Sequence, residues 1–129
     1  MQPKSKSNQV RFLSDFNNLN KQLKRKPYTM PKISEMLLEL EGFQYATSFD
    51  LNMGYYHIQI SKNASNLYTI ILPWGKYRYK RLPMGVANSP EIFQQKMNDL
   101  FHVFEFICAY KDDLLLLTKG YWTDHIQKL

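Results

Sequence analysis

The sequence predicts an α+β fold formed by a single domain. Two segments, at residues 32–42 and 89–104, have apolar residues at helical spacing, and several short runs of strand composition are separated by turn residues. An apolar segment at residues 106–117 has the length of a strand hairpin. The chain has 129 residues, of which 44% are hydrophobic, so one domain with a substantial core is predicted rather than two.

The N-terminal part of the chain is predicted to contain little regular structure. Residues 1–9 are polar and are predicted to form a disordered basic tail. A strand is predicted at residues 10–16 from its composition, and an asparagine-rich turn at residues 15–20.

A helix is predicted to follow an extended, proline-containing segment. Pro27 and Pro31 favour extension, because proline lacks an amide donor and disfavours helix in the residue before it. The helix would begin near Lys32, with Ser34 as a cap, and would end at Gly42, where a C-terminal glycine is expected. Its buried stripe would be Ile33, Met36, Leu37 and Leu40.

Short strands are predicted in the middle of the chain, before a second and longer helix. The predicted strands are residues 44–51, 55–60, 67–72 and 77–82, separated by Asn63, Asn66, Pro73 and Gly75. The long helix would run from Ser89, its cap, to Phe104, with Pro90 in its first turn. Its buried stripe would be Ile92, Phe93, Met97, Leu100, Phe101 and Phe104. Thr123 is predicted to cap one more helix.

Two adjacent carboxylates, Asp112 and Asp113, interrupt the apolar run at residues 106–117. Burying an unpaired carboxylate costs several kcal/mol, so such groups are normally paired, neutralised or bound to a metal. The motif alone leaves two interpretations open: an acidic turn between strands, or a hairpin that presents two acids to a divalent cation. Asp50 ends a predicted strand that is able to lie beside this hairpin. Because strand side chains alternate between faces, Asp112 and Asp113 are predicted to point to opposite sides.

The basic charge of the chain is concentrated near its N-terminus. The formal net charge is +6, and residues 1–32 contain eight basic residues and one acidic residue, a net of +7. This asymmetry favours a polyanionic partner, because neutralised phosphates release counterions, although a solvated tail has the same composition. Residues 76–81 alternate basic and aromatic side chains, which a strand would place on opposite faces. Such a pattern is typical of a surface that follows a nucleic-acid backbone and stacks bases, or of a solvated face over a buried one.

The sequence also predicts where the protein is found. Cys108 is the sole cysteine, which excludes an internal disulfide and suits a reducing compartment. The N-terminus lacks the apolar core of a secretory signal, and no run approaches the roughly 18 apolar residues of a membrane span. An intracellular protein, cytoplasmic or nuclear and without a membrane partner, is therefore predicted.

Four segments resemble, in order and spacing, successive blocks of a reverse transcriptase. They are residues 11–20, 47–56, 82–90 and 110–113, which read RFLSDFNNLN, TSFDLNMGYY, LPMGVANSP and YKDD. The resemblance is to the polymerase segment of gypsy-type long-terminal-repeat retrotransposons and extends over nearly the whole chain from Val10. It implies a right-hand polymerase with fingers and palm in residues 10–129, an antiparallel palm sheet with helices packed on one face, and truncation before the thumb.

The resemblance also implies an RNA-directed DNA polymerase domain of a retrotransposon Pol polyprotein, which adds nucleotides to a primer 3′-hydroxyl with two Mg²⁺ ions, or Mn²⁺. The implied catalytic metal ligands are Asp50, Asp112 and Asp113, with the backbone carbonyl of Leu51. The implied nucleotide-binding residues are Tyr55, which would gate the sugar, and Met84, Gly85 and Asn17. The implied nucleic-acid-binding residues are Lys24, Arg25, Lys26, Lys76, Arg78, Lys80, Ser89, Pro90 and Tyr110. The implied partners are an RNA or DNA template with its primer, deoxynucleoside triphosphates, and the missing palm, thumb and ribonuclease H segments of the polyprotein.

Two positions depart from the pattern of the family that the chain resembles. Asn17 stands where the family commonly has arginine, so a charged contact to the triphosphate is lost. Lys111 stands where the family usually has an apolar residue, and strand alternation predicts that it lies on the side of Asp113, where a cation is able to pair with that acid and compete with the metal. The alternative to a working polymerase is a catalytically silent, truncated remnant that at most binds nucleic acid.

Overall fold

The computed structural model describes residues 2–3, 10–25, 28, 38 and 41–129. The chain forms two compact units. Unit 1 comprises residues 1–26 and 55–89, and unit 2 comprises residues 27–54 and 90–129. The predicted helix near Lys32 and most of the predicted tail lie outside the described residues. At the predicted end of that helix, Gly42 has a φ of 87°, the left-handed conformation expected of a C-terminal glycine.

The helices and strands are short and follow one another closely along the chain. In chain order they are β1 (Gln2–Pro3), β2 (Val10–Arg11), α1 (Asn17–Asn20), β3 (Tyr45–Asp50), a 3₁₀ helix (Gly54–His57), α2 (Lys62–Leu67), β4 (Thr69–Leu72), β5 (Gly75–Arg78), α3 (Ser89–Phe101), β6 (Ile107–Tyr110), β7 (Asp113–Thr118) and α4 (Trp122–Lys128). Mixed helices and antiparallel sheets confirm the predicted α+β class.

Unit 1 contains two small antiparallel sheets and an aromatic core. β1 pairs with β2, and β4 pairs with β5 through a two-residue turn, Pro73–Trp74. The buried core is Phe16, Tyr68 and Val86, with Ile70 and Tyr79 among the residues packed against it. Burial raises the pKa of the Tyr68 phenol, because desolvation disfavours the phenolate.

Several element predictions in unit 1 are wrong. The strand predicted at residues 10–16 is limited to Val10–Arg11, and the turn predicted at residues 15–20 contains the helical turn α1. The strand predicted at residues 55–60 is a 3₁₀ helix with one isolated bridge, Gln59 to Arg81. The strand prediction fails there because the backbone forms hydrogen bonds within the segment: the Ile58 amide donates to the Tyr55 carbonyl at 3.1 Å.

Unit 2 is built on a three-stranded antiparallel sheet in the order β3-β7-β6. The strand predicted at residues 44–51 is confirmed as β3, and the predicted apolar hairpin is confirmed as β6 and β7. Thr47 pairs with Leu116, and Ile107 pairs with Leu116 from the other side, so β7 is the central strand. Leu116 and Leu117 of β7 are buried, as expected for apolar residues on a central strand.

The long helix is confirmed as α3, with Pro90 in its first turn and Phe93 and Met97 buried. Three details of its prediction are wrong. The helix ends at Phe101 rather than at Phe104. Ser89 is the first helical residue and does not act as a cap; its hydroxyl donates to the Pro83 carbonyl at 2.8 Å. Leu100 is 64% exposed, because an apolar stripe is buried only where another element covers it.

The last helix, α4, begins two residues earlier than a cap at Thr123 predicts. Its cap is Tyr121, whose amide donates to the Asp124 carboxylate at 3.2 Å, whereas Thr123 lies within the first turn. Among the described residues, none of the helices combines the length and the apolar composition that crossing a membrane requires.

Candidate active site

The three acidic residues singled out in the sequence lie at one end of the sheet in unit 2. Asp50 is the last residue of β3, Asp113 is the first residue of β7, and the two are directly opposite each other in the register. Asp112 lies in the two-residue turn that joins β6 to β7. The structure therefore brings Asp50 to the same end of the sheet as Asp112 and Asp113, from which a long helix separates it in the sequence.

The hydrogen-bond pattern shows how closely the two strands hold Asp50 and Asp113. The Leu51 amide donates to the Asp112 carbonyl at 2.8 Å, which makes Asp50 and Asp113 a non-hydrogen-bonded pair. In such a pair the Cα atoms are about 4.5 Å apart and both side chains point to the same face. Like charges directly opposite each other destabilise a sheet, and a bound cation relieves that repulsion. Both side chains are exposed, whereas Oδ1 of Asp112 is buried.

Lys111 does not adopt the position that strand alternation predicts. It lies with Asp112 in the turn, where its φ of 52° is in the left-handed region, so the alternation rule applies to neither residue. Its Nζ lies 5.2 Å from the centroid of the Tyr110 ring. Within the described residues the structure gives Lys111 no ion pair with Asp113.

Gln94 of α3 fixes the turn that contains Asp112. Its side chain is fully buried, and its Oε1 accepts a hydrogen bond from the Lys111 amide at 2.8 Å. Its Nε2 donates to the Ala109 carbonyl at 2.8 Å and to Oδ1 of Asn98 at 2.9 Å. Asn98 in turn donates to the Tyr28 hydroxyl at 2.6 Å. Gln94 was not predicted from the sequence. The feature that pointed to it is a polar side chain next to Phe93, a member of the predicted buried stripe of the helix.

His125 of α4 joins the two carboxylate-bearing strands from the opposite face of the sheet. It is fully buried, with Nε2 2.8 Å from the Thr47 hydroxyl on β3 and Nδ1 2.8 Å from the Thr118 hydroxyl on β7. Thr47 and Asp50 are three residues apart in one strand, so they point to opposite faces. The helix α4 therefore packs on one face of the sheet, and Asp50 and Asp113 occupy the other.

The backbone turns sharply immediately after Asp50. The Leu51 carbonyl, a predicted metal ligand, accepts a hydrogen bond from the Gly54 amide at 3.2 Å. A Cβ atom at Gly54 would lie 2.7 Å from Cζ of Phe93, so any larger residue there would require the buried Phe93 ring to move. The predicted sugar gate, Tyr55, is the next residue and is half-buried in the 3₁₀ helix of unit 1.

The predicted nucleotide-binding loop in unit 1 is held by α1. The side chain of Asn20 donates to the Gly85 carbonyl at 2.8 Å and accepts from the Ala87 amide at 2.8 Å. Asn17 lies one helical turn earlier, with its amide bonded to the Asp15 carboxylate at 2.8 Å. Asn17 and Gly85 were predicted from the sequence as nucleotide-binding residues, whereas Asn20, which connects α1 to the loop, was not.

Gly85 offers a test of this loop. Its φ is 93°, and an added Cβ would lie 3.2 Å from the Ser14 carbonyl oxygen, whereas Gly42, with a φ of 87°, has open space around the same position. We expect Gly85→Ala to lower the free energy of unfolding by about 1–2 kcal/mol more than the left-handed backbone strain alone. Urea unfolding of Gly85→Ala and Gly42→Ala separates the two contributions, and equal losses would contradict the contact with Ser14.

The predicted nucleic-acid contacts are spread over both units and differ in exposure. Lys24 and Arg25 are exposed, and Lys26 lies outside the described residues. Ser89 is buried, and its hydroxyl is hydrogen-bonded to the Pro83 carbonyl, so it does not face solvent. Pro90 is half-buried. Tyr110 ends β6 opposite Asp113, so its ring shares the carboxylate face of the sheet.

The basic and aromatic alternation at residues 76–81 is only partly on a strand. Lys76 and Arg78 share one face of β5, as predicted, but the strand ends at Arg78, before Lys80. Tyr79 packs on Phe16 and shares a hydrogen bond of 2.7 Å with the Ser14 hydroxyl, so it belongs to the core rather than to a stacking surface. The hairpin exposes two aromatic side chains, Trp74 and Tyr77, of which Trp74 was not singled out from the sequence.

The two units have opposite charge. Unit 1 contains twelve basic residues and one acidic residue, a net of +11, because residues 55–89 add five cations and no carboxylate to residues 1–26. Unit 2 contains five basic and ten acidic residues, a net of −5. The positive charge is thus not confined to the N-terminus, as the sequence suggested, but extends to a second segment.

The residues at the end of the sheet fit a divalent cation of the Mg²⁺ type. Mg²⁺ is typically held by one or two carboxylates together with substrate phosphates and water, and not by a complete cage of side chains. In the described residues, no three His, Cys, Asp or Glu side chains are arranged to enclose a metal by themselves. The opposed carboxylates of Asp50 and Asp113, which repel each other when bare, match such an open site.

Residues 2–129 match the family model for reverse transcriptase, described as RNA-dependent DNA polymerase. The chain belongs to the reverse transcriptase family. It is 34% identical over 115 residues to an enzymatic polyprotein of Cassava vein mosaic virus, a match that covers 88% of the chain and 18% of the viral protein. It is 28% identical over 121 residues to the Pol polyprotein of the Drosophila melanogaster transposon gypsy, covering 92% of the chain and 12% of that polyprotein.

A solved structure confirms the fold of this reverse transcriptase segment. The foamy viral protease-reverse transcriptase in complex with double-stranded DNA superposes with a TM-score of 0.87 at 24% identity, covering 98% of the chain and 22% of the viral protein. The segment therefore has the architecture of polymerase fingers and palm, and it spans less than a quarter of each of these proteins.

Proposed function

We propose that the chain is the fingers and palm part of a retroelement polymerase that joins deoxynucleotides to a primer 3′-hydroxyl. The observation that supports this most directly is the register of the sheet, in which Asp50 faces Asp113 with Asp112 in the adjoining turn. Membership of the reverse transcriptase family supports RNA as a template.

Asp50, Asp112 and Asp113 are proposed to hold two Mg²⁺ ions, with Mn²⁺ as a substitute and the Leu51 carbonyl as a further ligand. When bound, such ions supply positive charge that stabilises the attacking and leaving oxygens of phosphoryl transfer. The protein would hold these carboxylates at a fixed separation. The strand register, the hydrogen bond from the turn to Gln94 and the contacts of His125 with both strands would fix that separation.

The nucleotide is proposed to bind to residues of unit 1. Tyr55 would exclude a 2′-hydroxyl by the bulk of its ring, and the backbone at Met84 and Gly85, anchored by Asn20, would approach the base and sugar closely. Asn17 donates hydrogen bonds but has no charge, so we propose that phosphate attraction comes from the cations of unit 1, including Lys24 and Arg25.

The proposed polynucleotide partner is a template with its primer, of RNA or DNA. The net charge of +11 on unit 1 supports this, because phosphate neutralisation releases counterions and supplies affinity that is independent of sequence. The same charge favours a second candidate function, a fragment that binds nucleic acid without catalysis.

Primer extension separates the two candidates. We expect the chain to incorporate deoxynucleotides on poly(rA)/oligo(dT) with Mg²⁺ or Mn²⁺, and Asp50→Asn to reduce the rate by at least about 10²-fold, because a metal ligand acts on the transition state. Asp99→Asn, an exposed acid on α3, is the matched control and should leave the rate unchanged. Equal incorporation by the chain and by Asp50→Asn would reject the catalytic proposal and favour the binding fragment.

A further inference from the structure

The β4–β5 hairpin of unit 1 exposes apolar surface that the site described above does not use. Trp74, in its two-residue turn, is 73% exposed, and Ile71 on β4 is 78% exposed. An exposed apolar patch that is rimmed by polar residues often marks a binding surface.

One face of this hairpin is directed away from the core. The register pairs Ile71 with Lys76 and Thr69 with Arg78, so these four side chains share a face, which we call the outer face. Ile70 and Tyr77 pair on the opposite face, where Ile70 packs against the core. The outer face therefore presents an apolar side chain and two cations beside the exposed ring of Trp74.

The sequence segment that contains the hairpin has charge of a single sign, and the acid beside it is Asp15, which lines a cavity together with β4. From Leu51 to Pro90 the sequence has no Asp or Glu, while five cations occur there: Lys62, Lys76, Arg78, Lys80 and Arg81. Arg78 is oriented by a hydrogen bond from its Nη1 to Oδ1 of Asn66, so at least one cation of the outer face has a defined position. A ligand for this face must be anionic and must have flat apolar groups that stack on an indole.

We propose that Trp74 and the outer face bind a single-stranded polynucleotide, with an unpaired base stacked on the indole and the adjacent phosphates on Lys76 and Arg78. Single strands expose their base faces, whereas those of a duplex are stacked inside the helix, so an indole at a hairpin tip distinguishes the two. The inference rests on the proposed function for the choice of a polynucleotide as the anion, and it does not depend on the carboxylates of unit 2.

The two tryptophans of the chain make the test direct. In a Trp122→Phe chain the sole tryptophan is Trp74. In a Trp74→Phe chain it is Trp122, which packs on Tyr45 and His125 in unit 2. Each chain is titrated, without divalent cations, with a deoxythymidine oligonucleotide and with a duplex of equal length. We expect saturable quenching of Trp74 by the single strand, little quenching by the duplex, and little change at Trp122.

Variants measured by anisotropy of a labelled oligonucleotide distinguish stacking from charge. Trp74→Ala should weaken single-strand binding about tenfold, since stacking on an aromatic ring is worth about 1–3 kcal/mol per base, and Trp74→Phe should recover most of the loss. Lys76→Ala should reduce the salt slope by about 0.7, the value for one phosphate contact on a single strand.

Two results would overturn the proposal. One is that Trp74→Ala binds the single strand with unchanged affinity, and the other is that the single strand and the duplex quench Trp74 equally. A Trp74 emission shift with anionic phosphatidylserine vesicles but not with the oligonucleotide would also overturn it and assign the hairpin to a membrane surface. Asp113→Asn should leave the fluorescence quenching and the oligonucleotide affinity unchanged. A failure of the proposed polymerase activity is therefore distinguishable from a failure of the proposed single-strand binding.

Discussion

Replacing Asp113 by asparagine is expected to raise the stability of the metal-free chain and to abolish its stabilisation by Mg²⁺. In the absence of a cation, Asp50 and Asp113 are like charges directly opposite each other, and removing one of them should add about 0.2–1 kcal/mol to the free energy of unfolding. With Mg²⁺ at ten times its dissociation constant, the unmodified chain should gain about 1.4 kcal/mol, because the ion binds only the folded state. The variant should lose that gain.

Thermal unfolding with and without MgCl₂ measures both effects in one experiment. The two changes have opposite signs, which a general loss of folding cannot produce. Asp99→Asn removes an exposed acid from α3 and should retain the Mg²⁺ response. If Asp113→Asn lowered the metal-free melting temperature, or responded to Mg²⁺ as the unmodified chain does, the assignment of the facing pair to a cation would be wrong.

Gln94→Leu is expected to cause the largest loss of stability among single substitutions near the site. The change leaves the Lys111 amide and the Ala109 carbonyl without their partner on α3. A buried backbone group without a partner costs about 1–3 kcal/mol, so the free energy of unfolding should fall by about 2–5 kcal/mol. The turn that contains Asp112 should also lose its fixed position, and with it the response of the chain to Mg²⁺.

Gln95→Leu is the matched control, because Gln95 is the next residue on the same helix and is exposed. It should change the free energy of unfolding by no more than about 0.5 kcal/mol in urea titration. Tyr28→Phe, which removes only the hydroxyl that accepts from Asn98, should have an intermediate effect of about 1 kcal/mol. Equal losses in Gln94→Leu and Gln95→Leu would show that the hydrogen bonds to the turn do not stabilise it.

The parts of the fold that were predicted well are those with strong local signals. The β6–β7 hairpin was found because its apolar residues are consecutive, and β3 was found because its composition is typical of a strand. The strand predicted at residues 55–60 failed because β-type composition is not sufficient without a neighbouring strand to complete the ladder, and the chain formed 3₁₀ turns instead.

The candidate site was predicted in its residue types but not in its local geometry. Asp50, Asp112 and Asp113 were identified by their apolar setting and by their resemblance to a family, and the register then brought them together. The expected position of Lys111 was wrong because the two-residue turn removes it from the strand, and strand alternation ends where the turn begins. Gln94 and His125 were missed because their partners lie in other elements, and spacing along the sequence has no information about such contacts.

The sequence by itself determined the family, the fold class and the acidic residues of the candidate site, because four ordered blocks and one apolar hairpin are local features. Only the tertiary structure decided how the charge is distributed. Residues 55–89 return to pack with residues 1–26, so twelve cations gather in unit 1, while ten carboxylates remain in unit 2. In unit 2, the pairing of β3 with the distant strand β7 places Asp50 opposite Asp113, and in unit 1 the fold leaves Trp74 exposed, since burial and pairing depend on which distant segments meet.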